Sequence, residues 1–107
     1  MEPEGWLWLL SQAGVYLWSR GQDQRALALE EQALAGYRLV LGDDHPDTLT
    51  SMDNLAVTRG NLGDLDGARE LHEQALTARR RVLGDDHPDT LTSMNNLAET
   101  RQAVGEL

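Results

Sequence analysis

Along this chain an apolar residue recurs every three or four positions in five successive stretches, the spacing that gathers side chains on one face of an α-helix. The first stretch, about Gly5 to Arg20, sets Leu7, Leu10, Ala13, Gly14 and Leu17 on one stripe. The second, about Asp23 to Leu41, carries Ala26, Leu29, Ala33, Leu34, Tyr37 and Leu41. A third, about Asp47 to Leu62, presents Leu49, Met52, Leu55, Ala56 and Leu62, and a fourth, about Leu65 to Leu83, presents Ala68, Leu71, Ala75, Leu76 and Val82. The fifth, about Asp89 to Val104, repeats the third with Leu91, Met94, Leu97, Ala98 and Val104. Glycines punctuate the stripes at Gly21, Gly42, Gly63 and Gly84. Gly42 is expected to supply a left-handed helix end, which a Cβ would disfavour.

The stripes are organised by an internal repeat. Leu41 to Met52 reads Leu-Gly-Asp-Asp-His-Pro-Asp-Thr-Leu-Thr-Ser-Met and recurs unchanged at Leu83 to Met94, an offset of 42 residues. Residues 41–65 and 83–107 share 19 identities in 25 positions. The unit is helix, short turn, helix, then an Asp-His-Pro linker. Pro46 suits the first turn of a helix, where a missing N–H costs nothing, and it steers His45 away from helical angles. Asp44 and Asp47 stand where free N–H groups and the macrodipole favour negative charge. One helix pair is too thin to bury both faces, so neighbouring pairs must stack. The expected fold is all-α, a solenoid of antiparallel helix pairs. It is read as one domain over 1–107, divided into a degenerate repeat (1–42), a full repeat (43–84) and a half repeat (85–107).

Composition narrows the function. Net charge is −9, with nine Arg and no Lys, which disfavours nucleic-acid backbones and anionic membranes. No Cys is present, so thiolate chemistry and disulfides are excluded and a reducing cytoplasm is the expected location. Trp6 to Trp18 is apolar but interrupted by Ser11 and Gln12, and it falls short of the ~20 residues a membrane span needs.

Met52, Leu55, Ala56, Gly63, Ala68 and Ala75 stand at the spacing of packing positions in tetratricopeptide repeats, and Leu10, Ala13, Gly14, Gly21, Ala26 and Ala33 echo it 42 residues earlier. With its long unit and Gly-Asp-Asp-His-Pro-Asp-Thr-Leu linker, the chain resembles the kinesin-light-chain type. The resemblance implies a right-handed superhelix whose first helices line a concave, peptide-binding groove. It also implies that Asn54 and Asn96, with Gln12 as the variant, hydrogen-bond ligand backbone. The same groove would present Thr50, Asp53, Val57 and Asn61, then Thr92, Asn95, Glu99 and Gln102, making it neutral to acidic.

Other chemistry has little support. Asp43 to Asp47 and its copy at 85–89 could ligate a cation, but each residue already has a turn or capping role, and no metal site or cofactor is expected. There is no Cys nucleophile, serine elbow or phosphate loop, so an enzyme is not expected. His72 reads as solvent-facing in a polar run, and Arg79-Arg80-Arg81 as a solvated helix face. Trp6, Trp8 and Trp18 are too large to leave idle. With Leu91, Met94 and Leu97 of the last stretch they form a candidate oligomer interface, expected as a homodimer. The expected partner is a protein or peptide. The alternatives are self-assembly through stacked ends, or a sensor fragment of a larger regulatory nucleotide-hydrolysing protein.

Overall fold

A computed structural model of the chain describes residues 3–105. Five helices follow one another: α1 (Pro3–Ser19), α2 (Asp23–Leu41), α3 (Pro46–Asn61), α4 (Leu65–Leu83) and α5 (Pro88–Ala103). Each packs against its neighbours in sequence, and α1 also touches α3 directly. The stack measures 44 × 31 × 19 Å.

Alanine sets how closely the helices approach. Ala26, Ala33, Ala56 and Ala75 are fully buried, and Ala68 nearly so. Around these small contacts, Leu34, Leu49, Met52, Leu55 and Leu71 fill the main core between α2, α3 and α4. A second cluster joins Leu7, Ala33 and Tyr37, with Leu10 and Leu41 packed on it. Burial, and then the nearby Asp47 carboxylate, raise the Tyr37 hydroxyl above its ordinary pKa of 10.0.

The linkers work differently from the sequence expectation. Helices α3 and α5 begin at Pro46 and Pro88, and their caps are histidines. His45 Nδ1 accepts from the Asp47 backbone N–H at 3.1 Å, and His87 Nδ1 accepts from Asp89 N–H at 3.0 Å. The aspartates tie the linker to the preceding helices instead. Arg38 pairs with Asp43 at 3.3 Å, Arg80 repeats this with Asp85 at 3.2 Å, and Arg81 holds Asp44. Gly42 and Gly84 do have positive φ (89° each), but ψ is 167° and 165°, so the chain leaves the helix extended rather than left-handed α. Only glycine occupies that region readily.

Several stripe positions lie elsewhere than periodicity suggested. Val82 is 53% exposed and Leu62 lies at the surface, while Ala13 and Ala98 face outward from the terminal helices. His72 is 3% exposed and Arg79 8%, so neither is a solvated surface residue. Both sit inside because each has a partner, which is how buried polar groups are tolerated.

Candidate functional site

The odd-numbered helices present a common outer face, and between α3 and α5 it opens into a cleft of about 260 Å³. Val57 and Asn61 from α3 line one wall, Asn96 and Glu99 from α5 the other, and His72 of α4 forms the floor. Four of the eleven groove residues expected from the sequence are therefore gathered in one place. Asn54 lies half-buried outside the cleft, and Gln12, Thr50, Thr92, Asn95 and Gln102 are exposed beyond it. Asn54 and Asn96 engage no side-chain hydrogen-bond partner among the described residues, leaving both amide dipoles available. Thr92 donates its hydroxyl to the Pro88 carbonyl at 3.1 Å.

Asp53 is placed differently from the rest. Its carboxylate turns inward, 2.5 Å from Arg79 Nη1 and 3.2 Å from His72 Nδ1. The same Arg79 nitrogen donates to Ser93 Oγ at 2.6 Å. This buried network spans α3, α4 and α5 directly beneath the cleft and fixes its floor. The repeat offset supplied a signal for Arg79 alone, which coincides with Tyr37 of the second apolar stripe, whereas His72 coincides with Glu30, which lies outside that stripe.

The first junction uses a different pair. The Thr58 hydroxyl donates to Glu30 across the α2–α3 interface, with Thr58 wholly buried and Glu30 2% exposed. Desolvation raises the Glu30 pKa above the ordinary 4.5, the Thr58 hydrogen bond offsets part of this, and Asp23 adds to the rise. Gly14 makes room for this side chain, since a Cβ there would lie 2.6 Å from Glu30 Cγ.

A wider recess of about 690 Å³ lies between the end of α2 and α4, over Met52 and Ala78. It is bridged by Arg81 to Asp44 and by Arg38, which donates to Gln74 at 2.9 Å. These are exposed pairs, worth ~0–1 kcal/mol each. Among the described residues no group of three or more His, Asp and Glu is arranged to hold a metal ion. No helix among them is long and apolar enough to cross a membrane.

The candidate interface residues divide sharply. Trp6 and Trp8 are 55% and 57% exposed, Trp18 38% and Leu91 47%. Met94 is half-buried, and Leu97 is buried against α4.

Stacked antiparallel helix pairs with an accessible cleft along one row of helices define a helical-repeat interaction scaffold. The chain belongs to the tetratricopeptide-repeat family, whose model matches residues 6–47 and 48–89. Solved structures of kinesin-light-chain-like repeats are similar. One shows nearly identical TPR-like repeats ascribed to a Podosopora anserina kinesin light chain; it is 31% identical, with a TM-score of 0.87 over 98% of this chain and 49% of that one. A single-substitution variant of those repeats gives 31% and 0.88 over 99% and 50%. BtubC (BKLC) from P. vanneervenii shares the fold at a TM-score of 0.91 and 19% identity, over 99% of this chain and 42% of that one. The chain thus spans about half the length of the P. anserina structures. No curated protein matches it.

Proposed function

We propose that the chain is a non-enzymatic protein-interaction module that holds an extended peptide segment along the face of α1, α3 and α5. The observation that carries this is the α3–α5 cleft, whose opposed walls bring together Val57, Asn61, Asn96 and Glu99. A primary amide can donate to one peptide carbonyl and accept from one N–H, so the uncommitted Asn54 and Asn96 suit an extended backbone. The exposed Trp8 and Gln12 stand on α1 at the register of Thr50 and Asn54, extending the surface by one helix. Asp53 has a supporting role here, holding the cleft floor through Arg79 and His72 rather than meeting ligand.

The test uses a random-peptide display selection on the full chain, with the recovered peptides measured by fluorescence anisotropy. Asn54→Ala with Asn96→Ala should weaken them by about fivefold to about 150-fold, at ~0.5–1.5 kcal/mol for one lost hydrogen bond at each site. Unchanged affinity would move the binding surface off this face.

A second reading has its own observation. Trp6, Trp8 and Leu91 expose about half of their surface at the two ends of the stack, and such residues favour self-association through the terminal helices.

A further inference from the structure

Superposing the units by their 42-residue offset shows what is unusual about α1. On α3, Thr48, Ser51, Leu55 and Thr58 are all buried, and Thr58 meets Glu30 of α2. On α5, Thr90, Ser93 and Leu97 are buried likewise, and Ser93 meets Arg79 of α4. This is the side of a first helix that receives the second helix of the preceding unit. Its counterparts on α1 are Trp6, Leu9, Ala13 and Tyr16, and all four are exposed: Trp6 55%, Leu9 49% and Tyr16 61%, with Ala13 beside them.

The residue types change with the environment. Two threonines and a serine on α3 become tryptophan, tyrosine and leucine on α1. A second helix that approaches α3 over small side chains would collide with these large ones at the same distance. The α1 face is thus shaped for an occupant other than another unit of this pattern.

We propose that this stripe is a self-association surface on which a second copy of the chain lays its own α1 antiparallel, about a twofold axis. The proposal rests on the self-association reading above and assigns it to one face. The stripe is symmetric about its midpoint. Antiparallel pairing sets Trp6 on the partner's Tyr16 at both ends, and Leu9 over the small Ala13 in the middle, each contact made twice in reciprocal form as an isologous interface requires. Charge points to the same occupant. The chain carries −9, yet no residue from Gly5 to Ser19 is ionisable apart from the Tyr16 phenol, so here two copies can approach without repulsion. The outward face of α5 is a poorer candidate, because Leu91 and Ala98 are interleaved there with the exposed Asn95 and Gln102. Aromatic burial of ~150–250 Å² per ring implies roughly 400–500 Å² per copy from α1, near the ~1,000 Å² total of a small specific interface.

Sedimentation equilibrium of the full chain from about 1 to about 300 µM tests this, a range suited to a small interface. The expected result is a mass rising toward twice 11.9 kDa. Leu9→Glu with Tyr16→Glu should weaken association at least ~30-fold by burying four like-charged carboxylates in one apolar contact. Circular dichroism should stay unchanged, since both sites are exposed. Leu91→Glu should leave the mass as in the wild type. A wild-type monomer throughout would overturn self-association altogether. A dimer that survives the α1 pair of changes but is lost in Leu91→Glu would overturn only the assignment to α1.

Discussion

Arg79 reaches Ser93 at 2.6 Å with the same guanidinium nitrogen that holds Asp53 at 2.5 Å. One side chain on α4 therefore clamps the helix before it and the helix after it. Replacing it leaves the Asp53 carboxylate, 17% exposed, with only His72 beside it. Arg79→Met should cost about 2–4 kcal/mol, somewhat below the usual loss for breaking a fully buried ion pair. Urea unfolding followed by circular dichroism would measure it, and a loss under ~0.5 kcal/mol, the range of ordinary surface changes, would reject the clamp.

Glu30 predicts a pH dependence. Its folded pKa is raised above 4.5, so the folded state binds the proton more tightly than the unfolded chain. Stability attributable to this group therefore falls as pH rises from 4.5 through the folded pKa, and it is regained on acidification. Glu30→Gln keeps an acceptor for Thr58 and removes the ionisation. The variant should gain on the wild type as pH rises from about 4.5 to neutrality and then level off. Thermal melts of the pair across that range provide the check, and a constant difference between them would contradict it.

The helices and their order were legible because the stripes and the duplicated linker are strong periodic signals, and each stripe falls on one of the five helices. The polar interior was not legible in the same way. Periodicity assigns Glu30, His72 and Arg79 to solvent because it weighs each side chain alone, whereas their burial depends on partners in other helices, at Thr58, Asp53 and Ser93. Asp53 stands at helical spacing from Thr50, Val57 and Asn61, so the pattern sets it in the groove, yet its carboxylate turns inward to Arg79 and His72. The linker histidines are not legible as caps because aspartate is the commoner capping residue and stands on either side of them.

Thr48 and Thr90 are wholly buried, yet their hydroxyls find no hydrogen-bond partner among the described residues. An unsatisfied buried hydroxyl costs ~1–3 kcal/mol, and valine has nearly the same shape. Thr48→Val and Thr90→Val should each stabilise the fold by about 1 kcal/mol, read as a higher urea midpoint at constant slope. A destabilisation of that size would reveal a partner for the hydroxyl.

The alanine contacts give a prediction of opposite sign. Ala75 is fully buried among Leu34, Leu55 and Leu71 in the main core. Ala75→Leu should overpack the crossing and cost ~1–3 kcal/mol. Melting within a degree of the wild type would mean that the helices have room to part.

The duplicated linker has a further consequence for how the molecule could change length. Excising residues 43–84 would join Gly42 to Asp85 through the same Asp-His-Pro junction and bring α2 onto α5. In that shortened chain the 42-residue register sets Glu30 opposite Thr100 in place of Thr58, the same residue type at the same seam. The middle unit takes its private Asp53–Arg79 pair away with it and strands neither charge. The chain is spliceable at its linkers, because its buried ion pair lies within one unit, while the exposed pairs that cross between units, Arg38–Asp43 and Arg59–Glu31, recur 42 residues on as Arg80–Asp85 and Arg101–Glu73 and would re-form as Arg38–Asp85 and Arg101–Glu31.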